Sequence, residues 1–424
     1  MNRKERRTKE VNLLESLVQI MRQYFPELIG KFNELTDLRN QSYVKYQMKV
    51  IFMVRLLALM CEIKSMHGLT RELNTEEAIE NIAKICGLEL DEIPHCDTIN
   101  DVFEKINVEE IKQIRKYMIN RLIRGKMLEK YKIRNRYYHI IIDGTGLASS
   151  RKKYNKNCIK KSKTDKNGNE YIEYSTYVLE AKLVAGNMVF SIESEFVENE
   201  DENVSKQDCE LNAFKRLAKK LKKEYPRLPI IIGADALYSN KSVIDICNQN
   251  GWKYIIRFKE GRIKSLYKEF EAIVKTDNES KKEGYEYVSK VDYQKEKLNI
   301  IRYKDKMKKT EFLYITNLNI SDKNIEETIT IGRRRWKIEN EGFRNQKHGT
   351  FDIGHLYSKN STAIKVHYML IQIGHIIRQL LENGLKDVKE IKLKIKEISQ
   401  IITKELISTI TNLEVLKKVQ LRFD

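Results

Sequence analysis

Two aspartates stand where catalytic carboxylates are commonly found. Asp143 ends the apolar run Tyr138–Ile142 and opens a Gly144-Thr145-Gly146 turn, and Asp235 ends the run Ile230–Ala234. Neighbouring strands of an α/β sheet send the side chains at their C-terminal ends toward a common crevice, so two such carboxylates can meet there. Either one alone is more readily read as a turn-former or helix cap. A third block, running from Ile331 to Lys347, contains Arg335, Trp336, Ile338, Glu339, Glu341 and Phe343. On a regular helix, at about 100° per residue, Arg335 and Glu339 share a face with Phe343 and Gln346 nearby, while Glu341 points almost opposite. An exposed i,i+4 ion pair would look the same, but the apolar residues beside this one mark a packed face, where charges need a task.

The elements that must position these residues follow from periodicity. Residues from about 11 to 134 carry helix-period apolar positions, with the helix that contains Ile99 and Phe103 capped by Asp97 or Thr98 after Pro94. After Asn135 the period changes to strands. The run ending at Asp143 is followed by an alternating strand from Tyr171 to Val184, a turn at Gly186-Asn187 and a return through Met188 to Phe196, which together form a hairpin. A helix (about 205–224), a buried strand (230–234), another helix (about 241–250) and another strand (253–258) come next. Alternating segments near 285–291, 298–303 and 312–315 predict a strand-rich insertion, and the chain beyond Lys323 is helical. This order describes an α/β protein with a mixed sheet flanked by helices. Its segments are an N-terminal helical domain (1–134), a sheet-bearing domain (135–380) with a β insertion at about 260–320, and a C-terminal helical region (381–424).

Composition narrows the partners. The 424 residues include 79 Lys and Arg against 60 Asp and Glu, a formal charge of +19, enough to attract a polyanion. Only four prolines and 18 glycines occur, and 41% of residues are hydrophobic, which excludes disordered and collagenous classes. Six cysteines without zinc spacing read as reduced thiols of a cytoplasmic protein. The most apolar stretch, Val50 to Cys61, contains Arg55 and is too short to span a bilayer, so no membrane partner is expected.

The three blocks IIIDGTG, IIGADALYSN and RRRWKIENEGFRNQK resemble those of bacterial insertion-sequence transposases, which carry a DDE triad on an RNase H-like fold. The resemblance covers roughly residues 135 to 380. The third block is similar to a subgroup signature, Y-x2-R-x3-E-x6-K, with Arg335 and Glu339 in place; Gly332 replaces the tyrosine, Gln346 stands at the lysine, and Lys347 comes one residue late. The insertion before Glu339 also looks like the β insertion that some of these enzymes carry. The resemblance implies an RNase H-like domain in which Asp143, Asp235 and Glu339 are the catalytic residues and the ligands of two Mg²⁺ ions, with Mn²⁺ as a substitute. It implies a DNA transposase that cleaves element ends and joins the 3′-OH to target DNA, acting on double-stranded DNA as a homodimer whose helical N-terminal domain recognises the ends or makes the dimer contact. Arg335 and Lys347 would contact phosphate. A nuclease of the same fold without strand transfer, and a non-catalytic basic DNA-binding protein, keep the same charge pattern.

Other signals are placed around this centre. Arg151 to Lys166 contains eight Lys/Arg, including Arg151, Lys152, Lys153, Lys160 and Lys161, and reads as a loop contacting DNA phosphates beside Asp143. Arg3, Lys4, Arg6, Arg7 and Lys9 read as a solvated arm. The acidic stretch Glu198–Glu202 is expected to face the N-terminal dipole of the next helix. His348, His355, His367 and His375 form no close ligand pair and are expected in the core or at the surface. Trp252 and Trp336 are both expected to be buried beside the sheet.

Overall fold

In the computed structural model, which describes residues 12–199, 206–276, 281–282, 284–305, 310–412 and 418–422, the apolar run after Asn135 becomes β1 (Tyr138–Ser150). Ile140, Ile141 and Ile142 are all fully buried, as a strand covered on both faces requires. β2 (Ile159–Thr164) and the long β3 (Glu170–Ala185) follow, and β3 turns at Gly186, φ +62°, into β4 (Met188–Val197). After α-helical residues 210–224 come β5 (Ile230–Ala234) and β6 (Lys253–Phe258). β3 is antiparallel to β1 and to β4, whereas β1, β5 and β6 run parallel. The order β4-β3-β1-β5-β6 is the mixed, RNase H-like sheet expected.

The insertion does not form a separate layer. β7 (Lys281–Lys282), β8 (Tyr285–Tyr293), β9 (Glu296–Asp305) and β10 (Thr310–Thr316) extend the same sheet, because β10 pairs antiparallel with β6 and leads outward through β9 and β8. It also opens with a helix, Lys264–Thr276, that packs on β8 through its buried Leu266, Phe270 and Val274 face.

The N-terminal helices are α1 (Leu13–Tyr24), α2 (Leu28–Asn33), α3 (Met48–Met60), α4 (Met66–Leu73), α5 (Glu76–Cys86), α6 (Cys96–Lys105) and α7 (Val108–Arg124). His95, not Asp97 or Thr98, caps α6, its ring nitrogen accepting the Asp97 N–H. The helices at residues 210–224, 241–249, 264–276 and 325–333 are α8 to α11, and α12 is Asn345–His348. α13 (Ser361–Gly384), capped by Asn360, is buried over most of its length and packs against α1, α3, α6, α7 and β4. It is the shared core of sheet and helices. A limit at residue 380 therefore falls inside α13, and the last long helix, Ile395–Ser408, returns to pack on α1 and α5. α7 is also bolted to the sheet, where buried Arg115 pairs with Glu193 and donates to Ser191 and Ser194 on β4.

Among the described residues no helix is long and apolar enough to cross a membrane. Of the six free cysteines only Cys209 is exposed. The cluster Arg3 to Lys9 lies outside the described residues, as do residues 200–202 of the acidic stretch. The Glu198 carboxylate pairs with Lys365 of α13 at 2.5 Å.

Candidate active site

The parallel register of β1 and β5 pairs Ile142 with Ala234, which puts Asp143 beside Asp235 where β5 ends; the turn expected at Gly144–Gly146 does not form, because β1 continues to Ser150 on its pairing with β3. Asp143 keeps one oxygen on the Gly144 N–H at 3.0 Å, while the other is met by the Arg335 guanidinium at 3.1 Å. Burial pushes the Asp143 carboxyl up to about 6, opposed by Arg335 and the Gly144 N–H, with the negative charges of Asp235 and Glu210 adding to the rise. Asp235 accepts the Leu237 N–H at 2.8 Å and so caps the short turn Ala236–Tyr238. The capping role open to a lone aspartate is thus real here, and it fixes the carboxylate beside Asp143 rather than excluding it from chemistry.

The third block departs from a regular helix. α11 (Ile325–Arg333) ends in a turn at residues 334–335, and Ile338–Arg344 is wound as a π-helix before α12. Its i→i+5 spacing sets residues five apart on one side. Ile338 and Phe343 are both buried, against Ile141, Val184 and Val189, whereas Glu339 and Arg344 are both exposed. The face predicted to hold Arg335, Glu339 and Phe343 together is therefore broken, because one extra residue per turn rotates Phe343 inward. Arg335 reaches Asp143; Glu339 lies beside the anchored Ile338, its side chain exposed and without a hydrogen bond or ion pair to a described residue.

The same winding explains the signature's altered positions. Gln346 is fully buried and takes part in a polar network, its amide donating to Gln372 at 2.9 Å and its carbonyl accepting from Lys182 at 3.2 Å. Lys182, wholly buried under the Phe343 ring, is pulled down to about 8 by burial. Gln346 thus supports the π-helix from below instead of facing a phosphate, and Lys347 is half-buried. At Gly332 a Cβ would lie 2.7 Å from the Tyr314 ring, so β10 fills the space a tyrosine there would need. Trp252 is buried as expected, but Trp336 is 47% exposed, next to Arg335.

One residue of the cluster was not anticipated. Glu210, the first residue of α8, is half-buried, accepts the Tyr238 hydroxyl at 3.1 Å and acts electrostatically on Asp143. Nothing in its sequence surroundings marks it, because a glutamate in a helix's first turn is ordinary. Among the described residues, three metal-ligand atoms come within 4.8 Å of one another only at His95, Cys96 and Asp97, so Asp143, Asp235 and Glu210 stand further apart.

The basic segment after β1 is only partly a loop. Residues 151–158 are irregular, but Lys160, Lys161 and Lys163 lie on β2, an exposed edge strand paired with β3. Arg151 stacks on Tyr171 at 4.5 Å, Lys152 and Lys153 are exposed, and Lys161 sits 5.3 Å over Tyr177. Tyr177 in turn covers Gly144, where a Cβ would lie 2.5 Å from its ring. Lys161 is therefore the lysine of this set that stacks on the ring covering Gly144.

A family model described as Transposase DDE domain group 1 matches residues 195–408, just over half of the chain, and one described as DDE_Tnp_1-associated matches residues 29–118. The first spans Glu210, Asp235 and Glu339 but begins after Asp143. A comparison with curated proteins returns no match. A cryo-EM structure of the piggyBac transposase synaptic complex with hairpin DNA aligns with 93% of this chain and 80% of that chain, at 10% identity and a TM-score of 0.47.

Proposed function

This chain belongs to the DDE transposases, and from that premise we propose that it cleaves DNA at the ends of a mobile element and joins the freed 3′-OH to target DNA. The observation that carries the reading is the β1/β5 register, which sets Asp143 beside Asp235, with Arg335 of the third block closing on Asp143. Asp143, Asp235 and Glu339 would hold the divalent ions. Their donor atoms are all carboxylate oxygens, which suit Mg²⁺ or Mn²⁺ rather than a soft metal. Two such ions would supply an activated attacking oxygen and a stabilised leaving oxygen.

The chain's own residues then divide the remaining work. Arg335 offsets the charge of Asp143 and would offer its fork to a phosphate oxygen of bound DNA. The exposed β2 edge, with Lys160 and Lys161, and the Arg151–Lys153 turn follow the duplex backbone without reading sequence. Lys347 supplies a further positive charge behind the π-helix. The N-terminal helices recognise the ends or join two copies of the chain into a dimer on DNA, in the cytoplasm.

The test is incubation of the full chain with Mg²⁺ and linear DNA bearing the terminal sequences that flank its gene. Products nicked at the ends and joined to a target plasmid support the reading. Nicking without joining would favour a nuclease of the same fold, and retention of intact DNA in a stable complex would favour a binding protein.

A further inference from the structure

Glu210 is placed by two tyrosines, one from the surroundings of each aspartate. Tyr238 belongs to the turn that Asp235 caps, and its buried hydroxyl donates to Glu210 Oε2 at 3.1 Å. Tyr177, on β3, lies against Gly144 next to Asp143 and stands near enough to the same carboxylate to interact with it electrostatically. Phe214, one turn along α8, packs edge-on against Tyr238 and holds it in place. Glu210 is thereby held near two further carboxylates, those of Asp143 and Asp235.

This arrangement is costly for structure alone. Like charges in a partly buried crevice repel, and among the described residues the cation paired with one of the three carboxylates is Arg335, bonded to Asp143. A glutamate serving only the α8 dipole would gain as much pointing to solvent. The two tyrosines turn it the other way, toward the aspartates.

We propose that Glu210 is a fourth carboxylate of the metal site, binding one of the ions that Asp143 and Asp235 hold and oriented for that by Tyr238 and Tyr177. The proposal rests on the reading that the two aspartates bind divalent ions. It gives α8 a part in the site, since the helix that crosses from β4 to β5 would deliver a ligand with its first residue.

The experiment is Mn²⁺ titration of the full chain without DNA, followed by calorimetry, together with the Mn²⁺ dependence of DNA cleavage. Glu210→Gln, which keeps shape and removes charge, should weaken Mn²⁺ binding by about tenfold and shift the cleavage curve to higher Mn²⁺ by a similar factor. Glu210→Asp should recover part of the affinity. Tyr238→Phe, which leaves the carboxylate but frees it, should weaken binding by a smaller factor, and serves if Glu210→Gln does not fold. Wild-type Mn²⁺ affinity in Glu210→Gln alongside weakened affinity in Asp143→Asn would overturn the proposal while leaving the aspartate site intact. Wild-type affinity in both would overturn the site with it.

Discussion

Arg335 and Asp143, 192 residues apart in sequence, meet at 3.1 Å and join the third block of the chain to the middle of the first strand. The guanidinium offsets part of the burial that raises the Asp143 carboxyl, so the ion pair holds the site in order before any ligand arrives. Arg335→Ala should reduce DNA cleavage by about 10²-fold, in the range seen when transition-state electrostatic stabilisation is removed. Arg335→Lys should recover only part, because an ammonium cannot reproduce the fork. Equal rates for wild type and Arg335→Ala would remove the residue from the chemistry.

The two glutamates of the π-helix separate cleanly. Glu339 adjoins Ile338, which is anchored on Ile141 of the Asp143 strand, whereas the main chain of Glu341 accepts from Asn345. Glu339→Gln should abolish metal-dependent cleavage with DNA binding kept, and Glu341→Gln should cleave at near the wild-type rate. The reverse order in a nicking assay would assign the ligand to Glu341.

Much of this site could be read from the sequence, and the parts that could not have identifiable causes. Asp143 and Asp235 were legible because each follows a short, largely apolar run, and buried parallel strands need such runs. Glu339 is proposed from the Arg335 spacing, but its setting is not legible there, since a helix-period reading assumes about 100° per residue and the π-winding departs from that. The same winding hid the burial of Gln346. Glu210 carried no pattern at all; its place depends on Tyr177 and Tyr238, which only tertiary contacts bring together. The strands of the insertion were visible as alternating segments, but the pairing of β10 with β6 was not, because a strand's pattern does not name its neighbour.

Acidity provides a further check. The folded-state value of Asp143, about 6, lies above its ordinary 3.8, so the cost of burying its charge is fully present above pH 6 and disappears as the pH falls toward 3.8. In metal-free buffer, Asp143→Asn should therefore melt at a higher temperature than wild type at pH 8, and the gap should close by about pH 4. A melting difference that does not change with pH would contradict this environment for Asp143.

The +19 charge and the exposed lysines of β2 predict duplex binding that weakens steeply with salt through counterion release. Neutralising Arg151, Lys152, Lys153, Lys160 and Lys161 to Gln should flatten a plot of log affinity against log salt by about 0.9 for each DNA phosphate that the variant no longer neutralises. An unchanged slope would take this hairpin off the DNA.

The most direct measurement is cleavage of end-bearing DNA in Mg²⁺ by wild type, Asp143→Asn and Asp235→Asn, each first shown to bind that DNA equally well. Side-by-side aspartates that hold the catalytic ions predict metal-dependent nicking at the ends by wild type and none by either variant. Nicking at the wild-type rate by either asparagine variant would contradict the account.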